Sequence, residues 1–446
     1  MKDLTKGNPS ILILTFALPI FLGNLLQLTY SLVDTRIVGS FLGEDALAAV
    51  GATTTLSNLI IGFLFGLCNG FGILTAQYFG AKNMDRLRRS FAHALEFGIV
   101  IAILLTAAGL FFLKPILVFL NVPDGLTQIA YDYIAVIIAG LIATLLYDVF
   151  AATLRAMGNT VIPLIILFLS VVLNIGGDLL FVAVWDTGVW GAALATVLSQ
   201  VIAAVVCGVY IYRKYPLLRI KLTDFAPNDP SMVRNMISSG LSMGFMSSLV
   251  NIGSLTLQTS INRLGQDIII AHTAARKISE IFMIMFSVFG QTMATYCGQN
   301  IGAGEIKRIK KGILLAIGYT CIWCVLNIIT SYTISPWLVS MITDSHNPVV
   351  IENATAYLKF DTLFYFVPAV ICILRNSLQG LGERVVPIIS SFLEMSGKVV
   401  IAATLVPLLN YTGVILAEPI VWFIMVIPLV VKIFRMPVLK EEPVSN

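Results

Sequence analysis

Runs of about twenty apolar residues alternate with short polar stretches along the whole of the 446-residue chain. A helix of that length crosses the hydrocarbon of a bilayer. The pattern predicts spans at 11–33, 46–78, 90–113, 127–153, 160–184, 188–212, 234–262, 268–298, 312–334, 350–379, 385–408 and 412–435. Spans longer than 25 residues are accommodated by tilt or by protrusion from the membrane. The first apolar run is too long for a secretory signal, contains Pro19 and has no small-residue cleavage site near Gly23 and Asn24, so it reads as an uncleaved helix. The longest polar interruption, Arg213 to Ser231, falls near the middle. It divides the chain into an amino-terminal six-helix bundle (1–212), a cytoplasmic linker (213–231), a carboxy-terminal six-helix bundle (232–436) and a cytoplasmic tail (437–446).

The two bundles are related in sequence. "LGEDALAAVGA" (42–52) matches "LGQDIIIAHTA" (264–274) at an offset of 222, and "QYFGAKNMDRLRR" (77–89) lies on "QNIGAGEIKRIKK" (299–311) at the same offset. "TLRAMGNTVIP" (153–163) matches "SLQGLGERVVP" (377–387) at an offset of 224. Matched loops in the same order are not what chance similarity between greasy helices produces. With six spans per half, equivalent loops fall on one side of the membrane, so the repeat is parallel. The fold class expected is therefore an all-α polytopic membrane protein of twelve transmembrane helices in two bundles. Parallel repeats of this kind build transporters that move by alternating access.

Composition supports this class. The chain is 58% hydrophobic, 12% charged and has a mean hydropathy of +0.91, against about 25% charged residues in soluble chains. That excludes a soluble enzyme and leaves no room for a folded extramembrane domain. Lys and Arg gather on one side: Lys2 and Lys6, Lys82 to Arg89, Arg155, Arg213 to Lys221, Arg234, Lys307 to Lys311, Arg375 and Arg384, and Lys432 to Lys440. The other side holds Arg36, Lys114 and Arg263. The rich side is cytoplasmic by the positive-inside rule, with both termini there. The basic run "KRIKK" beside a span reads as a topology signal, and no nucleic-acid partner is expected. All six cysteines fall in apolar segments, and no second pair or histidine completes a metal site around Cys321 and Cys324, so they read as core thiols.

A carboxylate within a span costs about 2.5–3.5 kcal/mol on the insertion scale and marks function by default. Asp34 ends the first span, and Asp178 lies in the fifth with Asn174 one turn earlier. Residues at i and i+4 share a helical face, so Asn174 and Asp178 present oxygens to one point. The sixth span adds Thr196 and Gln200, again four apart. If the first, fifth and sixth spans are neighbours, Asp34, Asn174, Asp178 and Thr196 form an all-oxygen pocket. Two close carboxylates in low dielectric cannot both stay charged, so one holds a proton; alternatively a hard cation such as Na⁺ neutralises the pair. Local structural pairing of Asp178 is the blander reading. It is weakened by the repeat, which puts Thr256, Lys398 and Ala402 where the first half has Asp34, Asn174 and Asp178.

The second half has its own intramembrane charges: Arg276 and Glu280 at i,i+4, Lys359 with Asp361, and Glu394 and Lys398 at i,i+4. These read equally well as structural pairs or, at Glu280 and Asp361, as a second ion or substrate site. Asp148 and Glu418 are lesser candidates. Prolines within spans permit bending. Tyr30, Met243, Met246 and Met283 are candidates for an adaptable apolar substrate cavity, or for ordinary packing.

Taken together, "LTYSLVDTRIVG", "QYFGAKN", "LRAMGN" with its partner "LQGLGE", and "LNIGGDLLF" make the chain resemble the multidrug and toxic compound extrusion (MATE) exporters over nearly its whole length. The resemblance implies secondary active efflux of organic, commonly cationic and lipophilic, compounds, driven by inward H⁺ or Na⁺. It implies a coupling site at Asp34, Asn174, Asp178 and Thr196; members that use second-half acids instead point to Glu280 and Asp361. No cofactor beyond the coupling ion is implied. The partners expected are small organic substrates and membrane lipid, in a monomer in the cell (inner) membrane. A lipid-intermediate flippase of related architecture is the alternative, with Lys359 and Lys398 as its cations. A membrane enzyme is disfavoured, because the sequence has no HExxH, no P-loop and no sizeable polar loop.

Overall fold

The computed structural model describes residues 3–120, 122–225, 229–343 and 347–440. Lys2, residues 226–228 of the linker and the tail beyond Lys440 lie outside them. Among the described residues every regular element is helical. The helices are α1 (Pro9–Gly80), α2 (Met84–Phe111), α3 (Leu113–Phe119), α4 (Asp124–Ala139), α5 (Leu141–Ala156), α6 (Val161–Asp178), α7 (Val189–Lys214), α8 (Pro230–Ile261), α9 (Gln266–Gly302), α10 (Ile306–Thr343), α11 (Pro348–Leu363), α12 (Phe366–Gly380), α13 (Val385–Ala403), α14 (Leu405–Leu409), α15 (Tyr411–Arg435) and α16 (Pro437–Lys440).

Among these residues, nine helices are long and apolar enough to cross a membrane, and two further spans come from bent pairs. The pair α4–α5 bends by 44° and α11–α12 by 56°. The 72-residue α1 is two spans joined at Gly43, whose φ of 84° breaks the helix. Only glycine enters that region without a Cβ penalty. Twelve spans result, as the hydropathy pattern predicts.

The repeat is also written in the backbone. Gly43 has its equivalent in Gly265 (φ 104°), Lys82 in Gly304 and Gly158 in Gly382, all at positive φ. The breaks within the two bent spans, at Gly140 and Phe364, stand in the same relation.

The chain forms two compact units. One comprises Leu18–Ser247; the other comprises Leu4–Ala17 together with the chain from Ser248 onward. Thus α1 opens in the second unit and α8 opens in the first. In the first unit α7 packs against α4, α5 and α6, around a core that includes Leu64, Phe71, Leu145 and Leu154. There α1 and α8 cross through facing small residues. A Cβ on Gly66 or Gly70 would stand 2.5 or 2.4 Å from the carbonyls of Met243 and Ser239, while one on Gly240 or Gly244 would strike Phe71 or Phe63. Two GxxxG stretches therefore let the backbones touch, the usual device for close helix packing in lipid. In the second unit α9 is central, packed by α10, α11 and α12, and α13 lies against α15.

The segments leading into α1 and α8 are each held by an arginine of the matched "GA…R" motif. Arg308 donates to the carbonyls of Gly7 (2.8 Å) and Leu4 (3.0 Å), and the Gln299 side chain accepts from Leu4 N. Arg86, its repeat equivalent, pairs with Asp229 at 3.1 Å. Arg88 adds a 2.8 Å bond to the buried Asp224 of the linker. That bond holds the Asp224 carboxyl below its ordinary range.

Candidate functional site

Three stretches of the first unit converge on one polar cluster. α6 is almost wholly apolar, so its buried face exposes Asn174 and Asp178 to neighbouring helices and not to water; Asn174 is 2% and Asp178 0% exposed. Directly after Asp178 the helix continues as a π-helical turn, Leu179–Val184, a feature that recurs at functional sites. α7 packs along α6 and supplies Thr196, while α1 supplies Tyr30 and Asp34. A Cβ on Gly23 of α1 would rest against Leu164 and Leu167 of α6, which places the two helices side by side.

The hydroxyl of Thr196 organises the cluster. It donates to the Ala192 carbonyl (3.2 Å), accepts from Asn174 Nδ2 (3.1 Å) and lies 3.3 Å from the Tyr30 hydroxyl. Asn174 is thereby oriented, with its amide nitrogen used and its carbonyl oxygen Oδ1 left without a donor. The Asp34 and Asp178 carboxyls lie within hydrogen-bonding reach of each other. Neither oxygen of Asp178 has a donor partner among the described residues. The phenols of Tyr30 and Tyr133 stand within electrostatic range of both acids.

The chemistry of this donor set is narrow. Two facing carboxylates have acceptors and no hydrogen to share, so they bond only when one is protonated or when a cation bridges them. Asn174 Oδ1 is a third unused acceptor beside them. The set fits a proton, and it equally fits a hard monovalent cation that prefers oxygen ligands.

The structure thus brings together Asp34, Asn174, Asp178 and Thr196, and it adds Tyr30 and Tyr133. Tyr30, a sequence candidate for an apolar cavity, belongs to the polar cluster through its hydroxyl. Tyr133 was missed; one more tyrosine in an apolar span carries no signal until its neighbours are known. Gln200 sits one turn along α7 with Oε1 unpartnered, and no hydrogen bond among the described residues joins it to the cluster. Asp148 is buried beside Arg155, which also donates to Asn69 (3.2 Å), and is not part of the acid pair. Met243 and Met246 are buried, with Met243 at the α1–α8 crossing, and Met283 is half-buried on α9.

The second unit buries its charges differently. Arg276 does not pair with Glu280, as the i,i+4 spacing suggested. It bonds Glu418 of α15 at 3.3 Å, and Glu280, one turn further along α9, is exposed. Lys398 does bond Glu394 at 3.1 Å and also reaches Glu418 at 3.2 Å, and Arg375 approaches Glu394 at 3.7 Å. Lys359 does not pair with Asp361; it lies over the Tyr332 ring at 5.6 Å. Asp361 is fully buried, with Glu418, Arg276, Tyr365 and Lys398 as its electrostatic neighbours. Three cations therefore face three acids. Four of the cysteines are buried and Cys321 and Cys372 are half-buried, all as free thiols.

Fold and site define a polytopic α-helical membrane protein with a buried acid pair in one of two related bundles. The MatE family model matches the chain twice, over residues 19–180 and 242–404, so the chain belongs to the MATE family of efflux transporters. It is 25% identical over 386 residues to the probable multidrug resistance protein YpnP of Bacillus subtilis, covering 85% of this chain and 84% of that one. It is 23% identical to the multidrug export protein MepA of Staphylococcus aureus, over 90% of this chain and 88% of the other. Among solved structures, a MATE transporter in the bent conformation superposes with a TM-score of 0.91 at 21% identity, covering 98% of this chain and 97% of that one.

Proposed function

We propose that this protein is a secondary active multidrug exporter that exchanges H⁺ or Na⁺ for organic, commonly cationic and lipophilic, compounds by alternating access. One observation carries the reading. Asp178 is wholly buried, both its oxygens lack a donor, and its close partner is another carboxyl. A small positive species entering from outside satisfies both acids, and its loss leaves two anions repelling each other. That change biases α1, which bears Asp34 and Tyr30, toward a different packing against α6 and α7. The π-helical turn after Asp178 gives α6 room to adjust. One charge falling through 100 mV supplies about 2.3 kcal/mol, enough for roughly fifty-fold accumulation of a neutral substrate.

The printed names of YpnP and MepA support multidrug compounds as the substrate class. Met243, Met246 and Met283 remain the proposed adaptable substrate contacts. The basic clusters at one set of helix ends support a cell-membrane protein with both termini in the cytoplasm. The flippase alternative loses its cations: Lys398 is held by Glu394 and Glu418, and Lys359 lies over Tyr332. The test is efflux of a fluorescent organic cation in everted vesicles under a pH or a Na⁺ gradient imposed separately. Asp34→Asn and Asp178→Asn should each abolish gradient-driven transport. Wild-type rates in both variants would remove the coupling site.

A further inference from the structure

The repeat places one stretch of surface twice, at the start of α2 and at the start of α10, and the two copies differ in charge. In the first copy Arg86 is taken by Asp229, and Arg88 by Asp224 and Asp85 at 2.8 and 3.2 Å. Asp85 stands where α10 has Lys307, and Glu96 stands where α10 has Gly318. In the second copy Lys307, Lys310 and Lys311 are exposed. Among the described residues none of the three forms an ion pair. The same lysines open an exposed face of α10 that runs on along Leu314, Gly318 and Ile322.

The spacing is that of one helical face: 307, 310/311, 314, 318 and 322 rise in steps of three and four. From Lys311 to Ile322 the helix climbs about 16 Å, about half of a 30 Å hydrocarbon core. The face is therefore one leaflet long, charged at the level of headgroups and apolar below. Gly318 leaves open space in it, since a Cβ there would meet nothing within 4 Å. Beside it, the Tyr319 hydroxyl is hydrogen-bonded to the Ser10 side chain.

We propose that this face binds one anionic diacyl phospholipid, with its phosphate on Lys307, Lys310 and Lys311 and an acyl chain lying over Leu314, Gly318 and Ile322. Basic clusters beside a span attract anionic lipid at about fivefold per residue; the apolar stripe below them selects a lipid over a soluble anion. This site is independent of the acid pair and of the export reading.

The test uses the purified, delipidated full-length protein, titrated by native mass spectrometry with dioleoyl phosphatidylglycerol, dioleoyl phosphatidylcholine or glycerol phosphate. One phosphatidylglycerol should bind at least tenfold more tightly than phosphatidylcholine. The triple variant Lys307→Gln, Lys310→Gln, Lys311→Gln should lose that preference. Gly318→Leu, which fills open space and keeps the lysines, should weaken phosphatidylglycerol several-fold and leave glycerol phosphate unchanged; its thermal unfolding should match wild type. Equal retention of the two lipids, or a preference that survives the triple variant, overturns the proposal. So does wild-type phosphatidylglycerol binding in Gly318→Leu, which would reduce the effect to surface charge. Glycerol phosphate binding as tightly as the lipid would overturn it in favour of a soluble-anion site.

Discussion

The acid pair of the first unit and the charge chain of the second bury carboxylates on equivalent scaffolds with opposite solutions. Around Asp34 and Asp178 the neighbours are hydroxyls and an amide, and among the described residues no cationic side chain is a partner. Around Glu394 and Glu418 the counter-charges are built in, as Lys398, Arg276 and Arg375. The repeat sharpens the contrast, because Lys398 occupies the place of Asn174 and Ala402 that of Asp178. A tethered ammonium neutralises its acids permanently. A site without one depends on a mobile ion, and only such a site can respond to a gradient.

That comparison is open to breakage in four places. The largest effect is expected from Lys398→Met, which leaves the buried Glu394 and Glu418 with only Arg375 and Arg276 as counter-charges. Removing one partner of a buried pair costs about 3–5 kcal/mol, so thermal unfolding in detergent should begin far below the wild type; an unchanged transition would show that the chain is not a balanced network. Next comes the reciprocal exchange Asn174→Lys, which tethers a cation beside Asp178. It should cut gradient-driven efflux at least tenfold while leaving the protein folded, and efflux that still follows a pH or Na⁺ gradient would contradict the contrast.

A smaller change is expected for Tyr30→Phe and Thr196→Ala, each of which loosens the orientation of Asn174. A hydrogen bond is worth about 1 kcal/mol net, so half-saturation by the coupling ion should rise roughly fivefold with little change in maximal rate. The smallest effect belongs outside the membrane, at Asp224→Asn. The bond to Arg88 depresses the Asp224 carboxyl in the folded protein. Its stabilisation is therefore present above the unfolded carboxylate range and is lost as pH falls through the lower, folded value. The wild type should lead the variant by about 1 kcal/mol at neutral pH, and the two should converge in acid; a gap that persists there would assign the difference to packing.

Much of the fold was legible because a bilayer imposes a simple rule: each crossing needs about twenty apolar residues in a helix. The repeat was legible from its loops, where Gly43 and Gly265 keep a conformation that other residues resist. Asp178 and Asn174 were visible as polar residues in an apolar run. Tyr133 was not, nor was the role of Glu418, whose partners Lys398 and Arg276 lie 20 and 142 residues away. Spacing suggested Arg276 with Glu280; packing chose otherwise. The GxxxG crossing of α1 and α8 also passed unread, since glycine pairs abound in apolar helices and only contact shows which ones touch.

The sequence alone determined the number of spans, the duplication and the residue types available for a buried cation, because hydropathy and local periodicity are properties of consecutive residues. The tertiary structure decided which oxygens meet, which acids receive a tethered cation and which lysines stay unpaired. Those outcomes depend on the facing of helices distant along the chain, and in a low-dielectric interior a few ångströms separate a neutralised carboxylate from one that must recruit an ion.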